Sequence, residues 1–501
     1  MDRNEEKGGR LQTQVMDKNL PFEITAEFTL PDYHSEISRL LWVRPTFLPP
    51  ERFIGGGKAD FSGRVLYEVL YTGPDGALYG VTPEEGYSLC VPLEGAWAPE
   101  DLQIFTEPTV DAVISRVTGP RKLSVRCRLH AHTRAFLQKT PQAVLRGSTD
   151  GICKLGDTLC TTRTLGEVCE EFALTDSVKT AQKVRAICAR GSVFLPEVHP
   201  HTDGVHCRGE ALITLLLCRE EEENGSPFCI TQRIPFEKTV PLEGLAPNDR
   251  ACVTGSVGQI ELTPNEGAVD LTASIVLCAK AQTEEEIVIL KDAFLPGADA
   301  ECRFTAQSFL QGGSCCNQNL SISVQGALPD GLGGEEHEIL DAMAEAEICE
   351  KVADGARFSL SGKLQCHLLC LRAGELFTQD ATLPFRVILE GSDKTDVDCR
   401  VVNCRTSKNG GKLRADAELQ FALCDLPQGN VRLLEEATFT PRKAVPRAAI
   451  ELYYPEVDQT LWSVAKQYGI PPQTLADANA LDADAPDDKD SLSGKRFLLI
   501  P

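Results

Sequence analysis

Four landmarks recur three times in the same order along this 501-residue chain, at a spacing of about 145 to 155 residues. Self-similarity at a fixed long spacing marks a chain built from copies of one folding unit, so architecture must be read per copy. The first landmark is Leu30-Pro31-Asp32, Leu174-Thr175-Asp176 and Leu328-Pro329-Asp330. The second is a glycine that opens an apolar stretch, at Gly63, Gly209 and Gly362. The third is Leu-Glu-Gly at Leu93, Leu242 and Leu389, preceded in the last two copies by Ile234-Pro235-Phe236 and Leu383-Pro384-Phe385. The fourth is a turn rich in Gly, Asn and Pro at 118–122, 263–267 and 407–411.

An alternating stretch follows each of these turns. Leu123, Val125, Cys127 and Leu129 correspond to Val269, Leu271, Ala273 and Ile275, and then to Leu413, Ala415, Ala417 and Leu419. Period-two patterning with Gly, Asn and Pro turns predicts antiparallel strands with one buried face. The chain is therefore expected to be mainly β: three tandem antiparallel β-rich repeats, each a sandwich or an open barrel, followed by a small βααβ domain. The expected boundaries are a flexible N-terminus at 1–20, repeats at 21–140, 141–283 and 284–425, a linker at 426–448 and a C-terminal domain at 449–501.

Composition narrows the partners. The formal net charge of −23 leaves no broad basic surface to neutralise phosphates, which argues against nucleic acid and anionic lipid. The first fourteen residues are polar and no apolar run reaches 18 residues, so neither a signal peptide nor a membrane span is expected. Twenty cysteines are spread through long domains, many at alternating positions beside Val, Leu and Ile. They read as reduced core residues, which implies a cytoplasmic location.

Past Cys424 the pattern changes. A stretch with Pro427, Pro441, Lys443, Pro446 and Arg447 reads as a tether. In the segment from Asp458 to Gly469, Leu461, Val464, Ala465 and Tyr468 fall at helical spacing, and Gly469 stands where the helix ends. Pro472 suits the first turn of a second helix, and residues 496–500 read as a final strand. This segment resembles the LysM family in Thr-Leu-Trp-Ser-Val-Ala-Lys-Gln-Tyr-Gly at 460–469, Leu-Ala-Asp-Ala-Asn at 475–479 and Ser-Gly-Lys-Arg-Phe-Leu-Leu-Ile-Pro at 493–501. The resemblance implies a groove for N-acetylglucosamine glycans between loops at Asp458–Thr460 and Ala480–Asp482. The candidate partner- or glycan-binding residues are Asp458, Gln459, Thr460, Trp462, Ile470, Asn479 and Leu481. Asp458-Gln459 stands where the family carries Gly-Asp before Thr-Leu, and a side chain in place of that Gly is expected to narrow the groove.

The Leu-Pro-Asp, strand-opening Gly and Pro-Phe elements, together with the LysM segment, resemble the SPOCS-domain (DUF3794) family of spore-forming Firmicutes. That resemblance implies a scaffold of the spore coat and cortex, held in the mother-cell cytoplasm and recruited to the forespore surface. Its implied partner is a morphogenetic ATPase or another coat protein, bound through the LysM domain. The alternative is a cell-wall protein that binds peptidoglycan glycan.

Signatures of catalysis are sparse. Gly55-Gly56-Gly57-Lys58 lacks the first Gly and the Ser/Thr of a phosphate loop and reads as a turn. Gly-x-Ser-x-Gly and His-Glu-x-x-His do not occur, and no enzyme activity or cofactor is expected. His199, His201, His206 and Cys207 carry zinc-type ligands, but they fall in a Pro- and Gly-containing stretch that reads as a loop, so no metal is expected. Cys366 and Cys370 share one strand face and read as core, with His367 pointing away. The aspartates from Asp482 to Asp490 lack the Gly and Glu of a calcium loop and read as a solvated loop. Cys315 and Cys316 sit beside Gly and Asn and are the pair expected to be most exposed.

Overall fold

The computed structural model describes residues 9–501 except 96, 148–149, 221–225, 334–336, 443–450, 457, 484–485, 489–491 and 493–494. It is mainly β, and each repeat is a sandwich of two antiparallel sheets. The first packs Leu11–Thr29, Lys122–Lys139 and Leu102–Gly119 against a sheet centred on Lys58–Thr72. The second packs Cys153–Lys179, Ala268–Phe294 and Arg250–Asn265 against Val184–His201, Gly204–Arg219 and Pro227–Val240. The third packs Cys315–Ala327, Lys412–Asp425 and Thr395–Asn409 against His337–Asp354, Arg357–Arg372 and Glu375–Glu390. In every copy the strand after the fourth landmark is the centre of its sheet. Its alternating residues Leu123, Val125 and Cys127, and their counterparts in the other copies, fill a core between the two sheets.

The landmarks have physical causes. The strand-opening glycine pairs across the sheet with an aromatic residue in all three copies: Gly63 with Tyr87, Gly209 with Phe236 and Gly362 with Phe385. A Cβ on Gly209 would lie 2.6 Å from the Phe194 carbonyl oxygen and 2.9 Å from the Phe236 ring, and one on Gly362 would lie 2.6 Å from the Glu347 carbonyl oxygen. The ring thus covers the backbone that the glycine leaves bare, an arrangement that pins register. The glycine of Leu-Glu-Gly adopts φ of 131°, 83° and 145° at Gly95, Gly244 and Gly391, a region L side chains disfavour. Replacing Gly209 by Ala should cost about 1–3 kcal/mol through overpacking. A lowered urea midpoint at unchanged slope is the expected readout.

The three sandwiches meet at a common junction. Leu41, Leu70, Leu78, Ile187, Cys188, Leu216, Cys218, Leu369 and Leu376 form one apolar cluster drawn from all three copies. A second joins Phe105 and Phe136 to Cys252, Leu310, Cys315 and Leu426. Between the copies lie buried charges: Lys280 pairs with Glu107 and with Glu167 (3.6 Å), and Arg134 lies 2.7 Å from Asp396.

The boundary expectations need correction at both ends. Residues 1–20 were expected to be flexible, yet Leu11–Thr29 is a strand paired along its length with Lys122–Lys139. Within 426–448, expected as a linker, Gln428–Pro441 pairs with Ala298–Leu310, and Val144–Arg146 adds in parallel. Lys443, Pro446 and Arg447 lie outside the described residues. The boundary at 283 falls inside the 27-residue strand Ala268–Phe294, which extends past its own sandwich beside Cys153–Lys179. That extension packs on the extra sheet through Ile287, Ile289, Phe309 and Leu433, and through Ala293, Leu434 and Phe439. A strand whose partner lies more than a hundred residues away leaves no local mark of where its copy ends.

Two pairs of cysteines also depart from expectation. Cys169 and Cys278 face each other across two paired strands and are joined in a disulfide. Cys315 and Cys316 lie in a strand, with Cys315 buried and its Sγ 3.0 Å from that of Cys252. The denatured, unreduced chain should titrate 18 thiols and the reduced chain 20, which a thiol-reactive chromophore reads directly.

Candidate functional site

The C-terminal module is a two-stranded ribbon, Glu451–Tyr453 with Leu498–Ile500, enclosing helices α1 (Leu461–Tyr468) and α2 (Pro472–Asn479). Thr460 caps α1: its Oγ1 accepts from the Ser463 backbone N–H at 3.2 Å, while the Thr460 N–H donates to Ser463 Oγ at 2.9 Å. Such a reciprocal box fixes where a short helix begins. Gly469 closes α1 at φ 61°, and Ala480 closes α2 in the same left-handed region at φ 50°. Leu461, Val464, Ala465, Leu475, Ala476, Leu498 and Ile500 are buried between helices and ribbon.

Several of the candidate residues build this frame. Asn479 is a clamp: its amide donates to the carbonyls of Leu475 and Leu499 at 2.9 and 2.8 Å, and its Oδ1 accepts from the Leu499 N–H at 2.6 Å. The Gln459 side chain folds back on its own loop, with Oε1 accepting from Tyr453 Oη at 2.8 Å and from the Glu456 N–H at 3.1 Å. Ile470 is buried, and Leu481 packs half-buried on the module core. Asp458, Ala480 and Asp482 stay exposed on the two loops. The loop after α2 reaches over the start of α1, where the Pro486 carbonyl accepts the Trp462 N–H at 2.7 Å. Asp484 and Asp490 of the expected solvated loop lie outside the described residues.

Trp462 is not at an open surface. It is 4% exposed, edge-on to Phe294 with ring centroids 5.0 Å apart, and its Nε1 donates to Asp292 Oδ2 at 2.9 Å. Lys466, one turn further along α1, donates to both oxygens of Asp292 at 2.7 and 2.6 Å. Lys291 joins Asp157 at 2.8 Å to Asp487 of the module at 3.8 Å. The module is thus seated on the far end of the long strand Ala268–Phe294, with Leu155 completing the contact. Nothing in the sequence points to Asp292 and Phe294, because 170 residues separate Asp292 from Trp462 and neither belongs to a motif.

The geometry defines a class first: a ribbon-and-two-helix module whose outer loops flank the helix ends. Residues 458–487 match the model of the LysM domain, and the C-terminal module is of that type. No curated protein and no solved structure matches the chain. Among the described residues, no helix is long and apolar enough to cross a membrane.

Proposed function

We propose that the protein is a non-catalytic binding scaffold whose LysM domain takes an N-acetylglucosamine glycan such as peptidoglycan. The observation that carries this reading is the matched domain itself, with Asp458, Ala480 and Asp482 exposed on the two loops that a glycan groove uses. Asp458, at the family's Gly position, is exposed, while the Gln459 side chain is committed to its own loop by two hydrogen bonds. Docking uses the Trp462 and Lys466 face of α1, and the outer loops remain outward.

The test is co-sedimentation of the full chain with insoluble peptidoglycan, competed by soluble N-acetylglucosamine oligomers. Retention that the oligomer abolishes, and that Ala480→Arg weakens on the order of tenfold (about 1.4 kcal/mol) with unchanged thermal stability, supports the reading. A chain that stays in the supernatant at all glycan loads overturns it.

A second reading keeps the scaffold but gives the domain a protein ligand, as the resemblance to the SPOCS-domain family implies. In it the chain serves spore-envelope assembly from the mother-cell cytoplasm and docks on a forespore-surface ATPase or another coat protein. One observation favours it: this LysM domain already engages a protein surface, that of its own body, through Trp462 and Lys466. A fluorescent fusion that forms a forespore shell, and turns diffuse when residues 449–501 are removed, is its expected result.

A further inference from the structure

The stretch around His199, expected as a loop, is a tight hairpin. Val184–His201 and Gly204–Arg219 pair His201 with Gly204 and His199 with His206, leaving only Thr202 and Asp203 in the turn. Alternation puts His199, His201 and His206 on one face. It sends Cys207 to the opposite face, where it is 1% exposed and burial pushes its thiol up to about 12.

On the histidine face three ligand atoms converge. His201 Nδ1 and His206 Nε2 each lie 2.8 Å from the same oxygen, Asp203 Oδ1, and the two imidazole rings are 4.7 Å apart. All three ligand atoms lie within 4.8 Å of one another. The side chains are 56%, 63% and 42% exposed for His201, Asp203 and His206, so an ion has open access and keeps positions for water or an outside donor.

The other two copies act as an internal control. Each has the same two-residue hairpin, where the positions of His199, His201 and His206 hold Phe53, Gly55 and Asp60 in the first copy. They hold Val352, Asp354 and Ser359 in the third. The fold therefore asks for no imidazole at these places, yet the middle copy puts three of the chain's eight histidines there.

We propose that this hairpin tip is a transition-metal site that binds Zn2+ through His201, Asp203 and His206. Two imidazoles and a carboxylate suit zinc, whereas calcium and magnesium demand oxygen donors. The ion replaces the protons that now link the two rings to Asp203.

The test is calorimetric titration of Zn2+ into the full chain, beside Asp203→Asn, His201→Ala with His206→Ala, and His367→Ala as a remote control. Co2+ is the second probe. A nitrogen and oxygen site gives visible absorption without the near-ultraviolet charge transfer of thiolates, which separates it from the free cysteines. One equivalent bound by wild type and by His367→Ala, weakened tenfold or more in the two tip variants with unchanged circular dichroism, is expected. No zinc binding by wild type, or equal affinity in the tip variants, overturns the assignment.

Discussion

Replacing Lys280 by Ala should destabilise the protein by about 3–5 kcal/mol, the usual cost of removing one partner from a buried ion pair. Lys280 is 17% exposed in its side chain and faces both Glu107 and Glu167 at the junction of the sandwiches, so its loss takes the cation from Glu167 and leaves Glu107 with Arg134 at 3.5 Å. The same network predicts acid sensitivity. Burial works against the ionised form of Glu107, but Lys280 and Arg134 outweigh it and hold the carboxyl at about 2, below its ordinary 4.5. A folded-state value below the unfolded one adds stability that is present above pH 4.5 and is lost as pH falls toward 2. Urea midpoints across that window should fall steeply in the wild type and more shallowly in Glu107→Gln. A flat wild-type profile would remove the network from the account of stability.

Trp462→Ala should cost about 3–5 kcal/mol in the seating of the LysM domain, the range for truncating a buried aromatic side chain. The change removes the edge contact with Phe294 and the hydrogen bond to Asp292, and leaves Lys466 as the remaining partner of that carboxylate from α1. The predicted signature is faster amide exchange in Leu461–Tyr468 and around Asp292, with the three sandwiches protected as before. Unchanged exchange at Asp292 would mean that the domain does not sit on the body through this side chain.

Much of the architecture was legible because strands declare themselves locally. Period-two residues such as Leu123, Val125 and Cys127 mark a buried face, and the pairing of Gly209 with Phe236 leaves both partners visible as landmarks. The helices of the C-terminal module were legible for a similar reason, since the spacing of Leu461, Val464 and Ala465, Gly469 and Pro472 are local signals. What stayed hidden depends on distant partners. Leu11 looks like tail until it is paired with Lys139, and Gln428–Pro441 looks like linker until it meets Ala298–Leu310. Trp462 has the composition of a binding anchor, and only the fold shows that its neighbour is Asp292. The histidines at 199, 201 and 206 show as ligands in the sequence, but Pro200 and Gly204 among them read as a loop, and only the pairing of His201 with Gly204 reveals the two-residue turn.

Amide exchange of the full chain with and without a soluble N-acetylglucosamine oligomer tests the central claim most directly. The account predicts added protection confined to Asp458–Thr460 and Ala480–Asp482, with the sandwiches unchanged. Protection absent from both loops at saturating oligomer, or appearing only in the sandwiches, would contradict it.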